Sequence, residues 1–108
     1  MSLKQMNDQR VYQLIGLCQK ARKLISGEFA VKQAVLSEAV KLVIVTEDAS
    51  ANTTKLFNDK CNYRNIPCIK WGDRFELGKM LGKETRVVIG IVDDKLAEKI
   101  ATMIKSDG

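Results

Sequence analysis

Residues 20–48 read KARKLISGEFAVKQAVLSEAVKLVIVTED. Four elements follow one another there with almost no linker. One helix ends on the cations Lys20, Arg22 and Lys23, and a Ser26-Gly27 break then resets the backbone. A second amphipathic helix follows, and after it a strand at residues 41–46, apolar and β-branched as expected when both faces are covered. Glu47 and Asp48 close the stretch. The first N–H groups of a helix have no intrahelical partner. Beside cationic side chains they make a phosphate-binding edge. That favours a nucleic-acid ligand over reaction chemistry. Glu28, in the first turn, suits the helix dipole but repels a phosphate at the same end.

Upstream, residues 8–25 read as a helix, with Val11, Leu14, Ile15, Cys18, Ala21 and Ile25 on one face. Asn7 or Asp8 can cap its start. Residues 28–37 form the second helix, with Ala30, Val31, Ala34 and Val35 inward. Residues 53–63 read as a third helix on Leu56, Phe57 and Cys61. Pro67 opens a strand at 67–71, where its missing N–H is tolerated. Asp73 and Glu76 stand at the N-cap and N3 positions of a capping box. They start a short helix with Leu77, Met80 and Leu81 inward, ended by Gly82. Residues 86–92 are another strand, and Asp93 caps a last helix on Leu96, Ala97, Ile100, Met103 and Ile104. The tail from Ser106 is expected to fray. Strand and helix alternate throughout, which predicts an α/β fold: a three-layer α-β-α sandwich with helices on both faces of a small, mostly buried mixed sheet.

With 108 residues, no repeat and no linker, the chain reads as a single domain over 1–108. Its 45% apolar content suffices for a packed core without disulfides or metal. Cys18, Cys61 and Cys68 lack the spacing of a zinc or redox site, and there is no His to complete one. They read as core or semi-core residues, with no metal and no cofactor expected. The absence of His also removes the commonest acid–base catalyst. The first ten residues show no apolar signal region, so a cytoplasmic protein is expected. Apolar runs are strand-length, so no membrane partner is expected either. The net charge of +5 suggests a polyanion partner.

From Gly27 to the end of AVKLVIVTED at Asp48, the sequence resembles the kink-turn-binding ribosomal protein family whose archaeal founder is "L-seven-Ae". NIPCIKWGDRFELGKMLGK (residues 65–83), with its Ile66-Pro67 and Leu77-Gly78 markers, is similar to the family's loop and following helix. RVVIGIVDD (86–94) fits its final strand. The likeness runs nearly the whole chain in order, nearest to the small bacterial members. It implies an α-β-α sandwich that binds RNA kink-turns. The start of the second helix enters the groove beside sheared G·A pairs, and an apolar loop covers a flipped-out base. By the resemblance, that helix start is Gly27, Glu28, Phe29 and Ala30 with Gln33 one turn on, and the covering loop is Ile69, Lys70, Trp71 and Gly72. Archaeal members carry Asn, Glu and Lys where this chain has Phe29, Ala30 and Gln33. Those founder side-chain bonds cannot form here, and Lys32, one place off, becomes the phosphate contact.

The residues themselves leave alternatives open. Trp71, the only Trp, is either a stacking platform for a splayed base or an anchor under the helix that follows. Phe29 is either exposed or packed. Lys20, Arg22 and Lys23 serve a helix dipole or, with Lys32, Lys70 and Arg74, converge on one edge as an RNA footprint. Lys55, Lys60 and Arg64 read as solvation. The function expected is a non-catalytic, ribosome-associated protein that binds structured RNA, ribosomal RNA included. It would act as a monomer with no small-molecule substrate. One alternative is a magnesium-dependent phosphoryl-transfer enzyme using Glu47-Asp48 and Asp93-Asp94 at strand ends. Another is a protein-interaction module of the same fold.

Overall fold

The computed structural model describes residues 2–106. The elements run α1 (Leu3–Lys20), β1 (Leu24–Ser26), α2 (Glu28–Leu36), β2 (Leu42–Val45), α3 (Ala51–Tyr63), β3 (Cys68–Lys70), α4 (Arg74–Met80), β4 (Val88–Ile91) and α5 (Asp94–Lys105). The strands form one mixed sheet in the order β1-β4-β2-β3. β2 and β3 are parallel, and β4 runs antiparallel to both β1 and β2.

Side-chain alternation along the two central strands sets the layers. Leu42, Ile44, Ile89 and Ile91 pack with Val11, Ile15, Leu77 and Ile100, so α1, α4 and α5 cover one face. Val43, Val45 and Val88 pack with Val31, Val35, Phe57 and Cys61, so α2 and α3 cover the other. Every residue of β2 and β4 is buried. This is the three-layer sandwich expected from the alternation of strand and helix.

The first helix differs from expectation at both ends. It begins at Leu3 because Ser2 and Gln5 form a reciprocal capping box: the Gln5 N–H donates to Ser2 Oγ at 3.1 Å, and the Ser2 N–H to Gln5 Oε1 at 2.8 Å. It ends at Lys20 in a Schellman turn. Arg22 sits at φ 60, its N–H bonds the Gln19 carbonyl at 3.0 Å, and the Lys23 N–H bonds the Cys18 carbonyl at 2.8 Å. Leu24 and Ile25, expected in the last helical turn, instead form β1 against β4. Ala21 and Ile25 continue the four-residue apolar step by coincidence, and that step hid the break. Ala30 is likewise exposed, not inward.

Helices α2, α3 and α4 finish in the same type of turn, at Glu38, Asn65 and Gly82 (φ 58, 57 and 71). Cys18 and Cys61 are buried and Cys68 half-buried, and all three are free thiols. The Cys68 thiol is held well above its ordinary value by a hydrogen bond with Cys61 and by burial. Among the described residues, no helix is long and apolar enough to cross a membrane. None of these residues group three or more Cys, Asp or Glu side chains that could hold a metal ion. The tail beyond Ser106 lies outside the described residues.

Candidate nucleic-acid interface

Sheet register brings four chain segments to one edge. Ser26 lies opposite Ile89, Val45 opposite Val88, and Val45 beside Lys70. The ends of β1, β2 and β3 and the start of β4 therefore share an edge, and α2 and α4 both begin there. Backbone bonds weld it: Gly27 N–H to the Val88 carbonyl (3.0 Å), Thr46 N–H to Val87 (2.9 Å), and Glu47 N–H to Gly72 (2.8 Å). Arg86 spans the gap between the two helix starts. Its N–H bonds the Arg74 carbonyl at 3.0 Å, and its guanidinium Nε donates to Ser26 Oγ at 3.3 Å. Three strand spacings separate β1 from β3, about 14 Å. The helix start and the loop implied by the family resemblance thus lie on the same side of the molecule.

The start of α2 differs chemically from the other helix starts. Ser2, Ser50, Asp73 and Asp93 cap α1, α3, α4 and α5 with their side chains. Gly27 has none to offer, and its φ 99, ψ 149 backbone is one that an L-residue adopts only with strain. The first intrahelical bond is Val31 N–H to the Gly27 carbonyl, so the N–H groups of Glu28, Phe29 and Ala30 precede the helical ladder. Phe29 is 76% exposed, which decides against packing for that ring. The Glu28 carboxylate accepts from Thr53 Oγ1 at 3.3 Å, which draws it toward α3.

Trp71 is not a stacking platform. It is 7% exposed, its ring meets Tyr12 at 4.5 Å between centroids, and it belongs to the core under α1 and α4. Its Nε1–H points to Asp8 Oδ1, at a long 3.4 Å. At the same turn the Tyr12 hydroxyl accepts from the Asp73 N–H at 3.1 Å. Of the loop expected to cover a base, Ile69 is half-buried, Lys70 exposed and Gly72 half-buried. The accessible ring is Phe75, 64% exposed in the first turn of α4, which the sequence reading missed. A signal was present: Asp73 at the N-cap places Phe75 off the stripe formed by Leu77 and Leu81. Arg86 was missed as well, because it was read only as the start of a strand.

The cations do not converge as expected. Leu24 pairs with Ile91, and the Val92 N–H bonds the Lys23 carbonyl at 3.0 Å, so Lys20, Arg22 and Lys23 lie at the opposite edge of the sheet. Four extended residues put Lys23 about 13 Å from Gly27. Unrecognised β1 is the reason that the basic run and the glycine looked adjacent. The α2 edge itself holds four cations (Lys32, Lys70, Arg74, Arg86) and five acids (Glu28, Glu47, Asp48, Asp73, Glu76). Asp48 pairs with Arg74 (Nε to Oδ2, 3.4 Å) and accepts from its backbone N–H. Burial pulls the Asp48 carboxyl up, but the neighbouring Thr46 hydroxyl, the bond from the Arg74 amide and the Arg74 charge outweigh that and hold it below the usual range. Asp73 is occupied by the N–H groups of Phe75 and Glu76 at 2.9 and 2.8 Å. On the β3 side, a cleft of about 840 Å³ is lined by Asp8, Glu47, Asp48, Asp73 and Glu76 against a single cation, Lys4. A polyanion is repelled there, so the approachable part of the edge is what lies outside that cleft: the amide groups of α2, the exposed rings of Phe29 and Phe75, and Arg86.

The acid pairs of the magnesium alternative are separated by the same register. Glu47-Asp48 follow β2 on the α2 edge, and Asp93-Asp94 follow β4 on the opposite one. Asp93 is engaged as the cap of α5, accepting from the Leu96 N–H at 2.9 Å.

Comparison with known proteins decides the family. Residues 9–101 match the model of the ribosomal protein L7Ae/L30e/S12e/Gadd45 family. The chain belongs to it. Family relatives include the RNA-binding protein YlxQ of Bacillus subtilis (strain 168), 43% identical over 93 residues, or 86% of this chain and 93% of that protein. The RNA-binding protein YlxQ of Enterococcus faecium is 40% identical over 99 residues, 92% of this chain and 95% of that one. Among solved structures of this fold, a protein with unknown function from Bacillus halodurans C superposes with a TM-score of 0.85 at 41% identity, covering 88% of this chain and 96% of that one. The Giardia lamblia 15.5kD RNA binding protein superposes at 0.77 with 17% identity, over 94% and 87% of the two chains, a likeness of fold alone.

Tyr12 is the post that carries the α4 turn, and its removal is measurable. Tyr12→Phe keeps the ring on Trp71 but strips the Asp73 N–H of its acceptor, at a cost of about 1 kcal/mol. Burial pushes the Tyr12 hydroxyl from 10.0 up to about 12. A folded pKa above the unfolded one means that the stabilisation is complete below pH 10 and is lost as pH rises toward 12. The urea midpoint of the parent should therefore exceed that of Tyr12→Phe at pH 8, and the gap should narrow above pH 10. A gap that is constant with pH would contradict this.

Proposed function

We propose that this protein binds structured RNA at the α2 edge and recognises a kink-turn or a similar bent internal loop, as a non-catalytic, ribosome-associated, cytoplasmic monomer. The observation that carries this reading is the start of α2: a glycine-opened turn without a side-chain cap, three leading amides, and Phe29 exposed beside them. Relatives that share two-fifths of the sequence and are named RNA-binding proteins support the ligand class. A near-neutral edge favours base edges and sugar hydroxyls over phosphates, and bent loops are where RNA offers those groups, because their bases are unstacked. In this reading the amides of residues 28–30 meet base edges or sugar. Phe29 stacks where other members place an asparagine, and Lys32 and Gln33 lie one turn behind. Arg86 and Arg74 line the far wall with Lys70, and Phe75 takes the covering role that Trp71 is too buried to play.

Fluorescence anisotropy with a kink-turn RNA and the same duplex lacking its bulge tests the reading. The parent should prefer the bent RNA by tenfold or more. Phe29→Ala should lose on the order of 1–3 kcal/mol of that binding, the range for one base stacked on an aromatic ring. Equal affinity for both RNAs, or an unaffected Phe29→Ala, would overturn it.

A further inference from the structure

The α2 edge lacks an excess of positive charge, yet the chain carries +5 overall. RNA affinity is dominated by phosphate neutralisation, so an RNA-binding surface without net charge needs a basic surface beside it. One exists where the C-terminal ends of α1 and α4 abut. The Gln19 Nε2–H donates to the Leu81 carbonyl at 3.2 Å, and a Cβ on Gly16 would stand 3.0 Å from Met80 Sδ. Lys20 ends α1 with Arg22 and Lys23 just beyond it, and Lys79 lies in the last turn of α4 with Lys83 just beyond that helix. All five are exposed, and none takes part in an ion pair among the described residues. On other helix faces of the chain, Lys4 and Lys55 are each paired with an acid one turn on. The acids on this edge are Glu84, Asp93 and Asp94, with Asp93 occupied as a helix cap.

Helix-dipole compensation accounts for only part of this cluster. Cations help a dipole from within the last turn, where Lys20 and Lys79 lie. Arg22, Lys23 and Lys83 stand beyond the helices. Lys23 and Lys83 occupy the same position in two Schellman turns, each with its N–H bonded back to the helix at 2.8 Å. Arg22 holds φ 60 at the position where such turns ordinarily place glycine, as α4 does with Gly82. An arginine there costs stability and gains no ion-pair partner among the described residues.

We propose that Lys20, Arg22, Lys23, Lys79 and Lys83 form a second RNA contact, a clamp for the phosphate backbone of the stem flanking the bent loop. The clamp supplies charge-dependent affinity while the α2 edge supplies recognition. The inference rests on the RNA-binding reading above. Lys23 lies about 13 Å along β1 from Gly27, so one RNA stem can lie across both surfaces.

Two variants test it against the kink-turn RNA over a series of salt concentrations. Arg22→Gln/Lys23→Gln/Lys83→Gln should flatten the slope of log affinity against log salt by about 2–3, since each phosphate left unneutralised removes about 0.7–0.9 from it. Its preference for the bent RNA over the bulge-less duplex should persist. Arg22→Gly removes the charge and relieves the left-handed backbone together, so it should raise the melting temperature while weakening RNA binding. A purely structural arginine would not give that opposite pair of changes. An unchanged salt slope in the triple variant, or Arg22→Gly binding as tightly as the parent, overturns the clamp and leaves the α2 reading standing. A parent protein that binds neither RNA at any salt overturns the RNA reading, and the clamp with it.

Discussion

Trp71→Ala is expected to lose about 3–5 kcal/mol of stability, the usual cost of deleting a large buried aromatic side chain. The indole is 7% exposed, meets the Tyr12 ring and belongs to the core cluster that also holds Leu77 and Ile44. Truncation leaves a void that α1, α4 and the sheet cannot all close, since each is fixed by its own hydrogen bonds. Domains of this size hold about 5–15 kcal/mol in total. The urea midpoint, followed by circular dichroism because the only Trp is gone, should therefore fall by about a fifth or more. A base-stacking Trp71 would give the opposite pattern, with stability near that of the parent and RNA binding abolished. In the parent, saturating RNA should leave Trp71 emission essentially unquenched. Strong quenching would mean that the ring is reached by a base.

Gly78→Ala should destabilise by about 1–3 kcal/mol, the cost of overpacking, despite the better helix propensity of alanine. A Cβ at Gly78 would stand 2.7 Å from Thr85 Cα and 2.8 Å from the Glu84 carbonyl oxygen and Thr85 N. All three are backbone atoms, so no rotamer change relieves the clash. Alanine favours a helix over glycine by about 0.8–1.0 kcal/mol, which is too little to offset it. To make room, residues 84–86 must move away from α4. That strains the Lys83 N–H bond to the Gly78 carbonyl at 2.8 Å and the Arg86 N–H bond to the Arg74 carbonyl at 3.0 Å. Arg86 then no longer spans the two helix starts, so RNA affinity should fall along with the urea midpoint. Stability equal to that of the parent would show that the segment yields freely.

The same two residues show what the sequence makes legible. Buried central strands announce themselves by continuous β-branched runs, and side-chain caps by residue type. Hence the sandwich, the Asp73 and Asp93 caps and the glycine-opened α2 are all readable. Leu77-Gly78 was readable only as a family marker. Its physical cause, the backbone of residues 84 and 85 lying against α4, exists only in three dimensions. β1 has three residues and follows a helix whose apolar step it happens to continue, so periodicity could not separate the two. That one omission moved Lys20, Arg22 and Lys23 to the wrong edge. Trp71 failed for a different reason. Composition marks an aromatic ring at a strand end, but only register decides whether it turns under the next helix or away from it. Phe75, two residues into α4, is the ring that turns away.

Amide chemical-shift mapping during titration with a kink-turn RNA bears most directly on the α2 edge. The largest changes should fall on Gly27, Glu28, Phe29, Ala30, Phe75 and Arg86, with the outer face of α3 around Lys55 and Asp59 silent. Residues 27–30 unmoved at saturation, with the changes concentrated on α3 or α5, would contradict it.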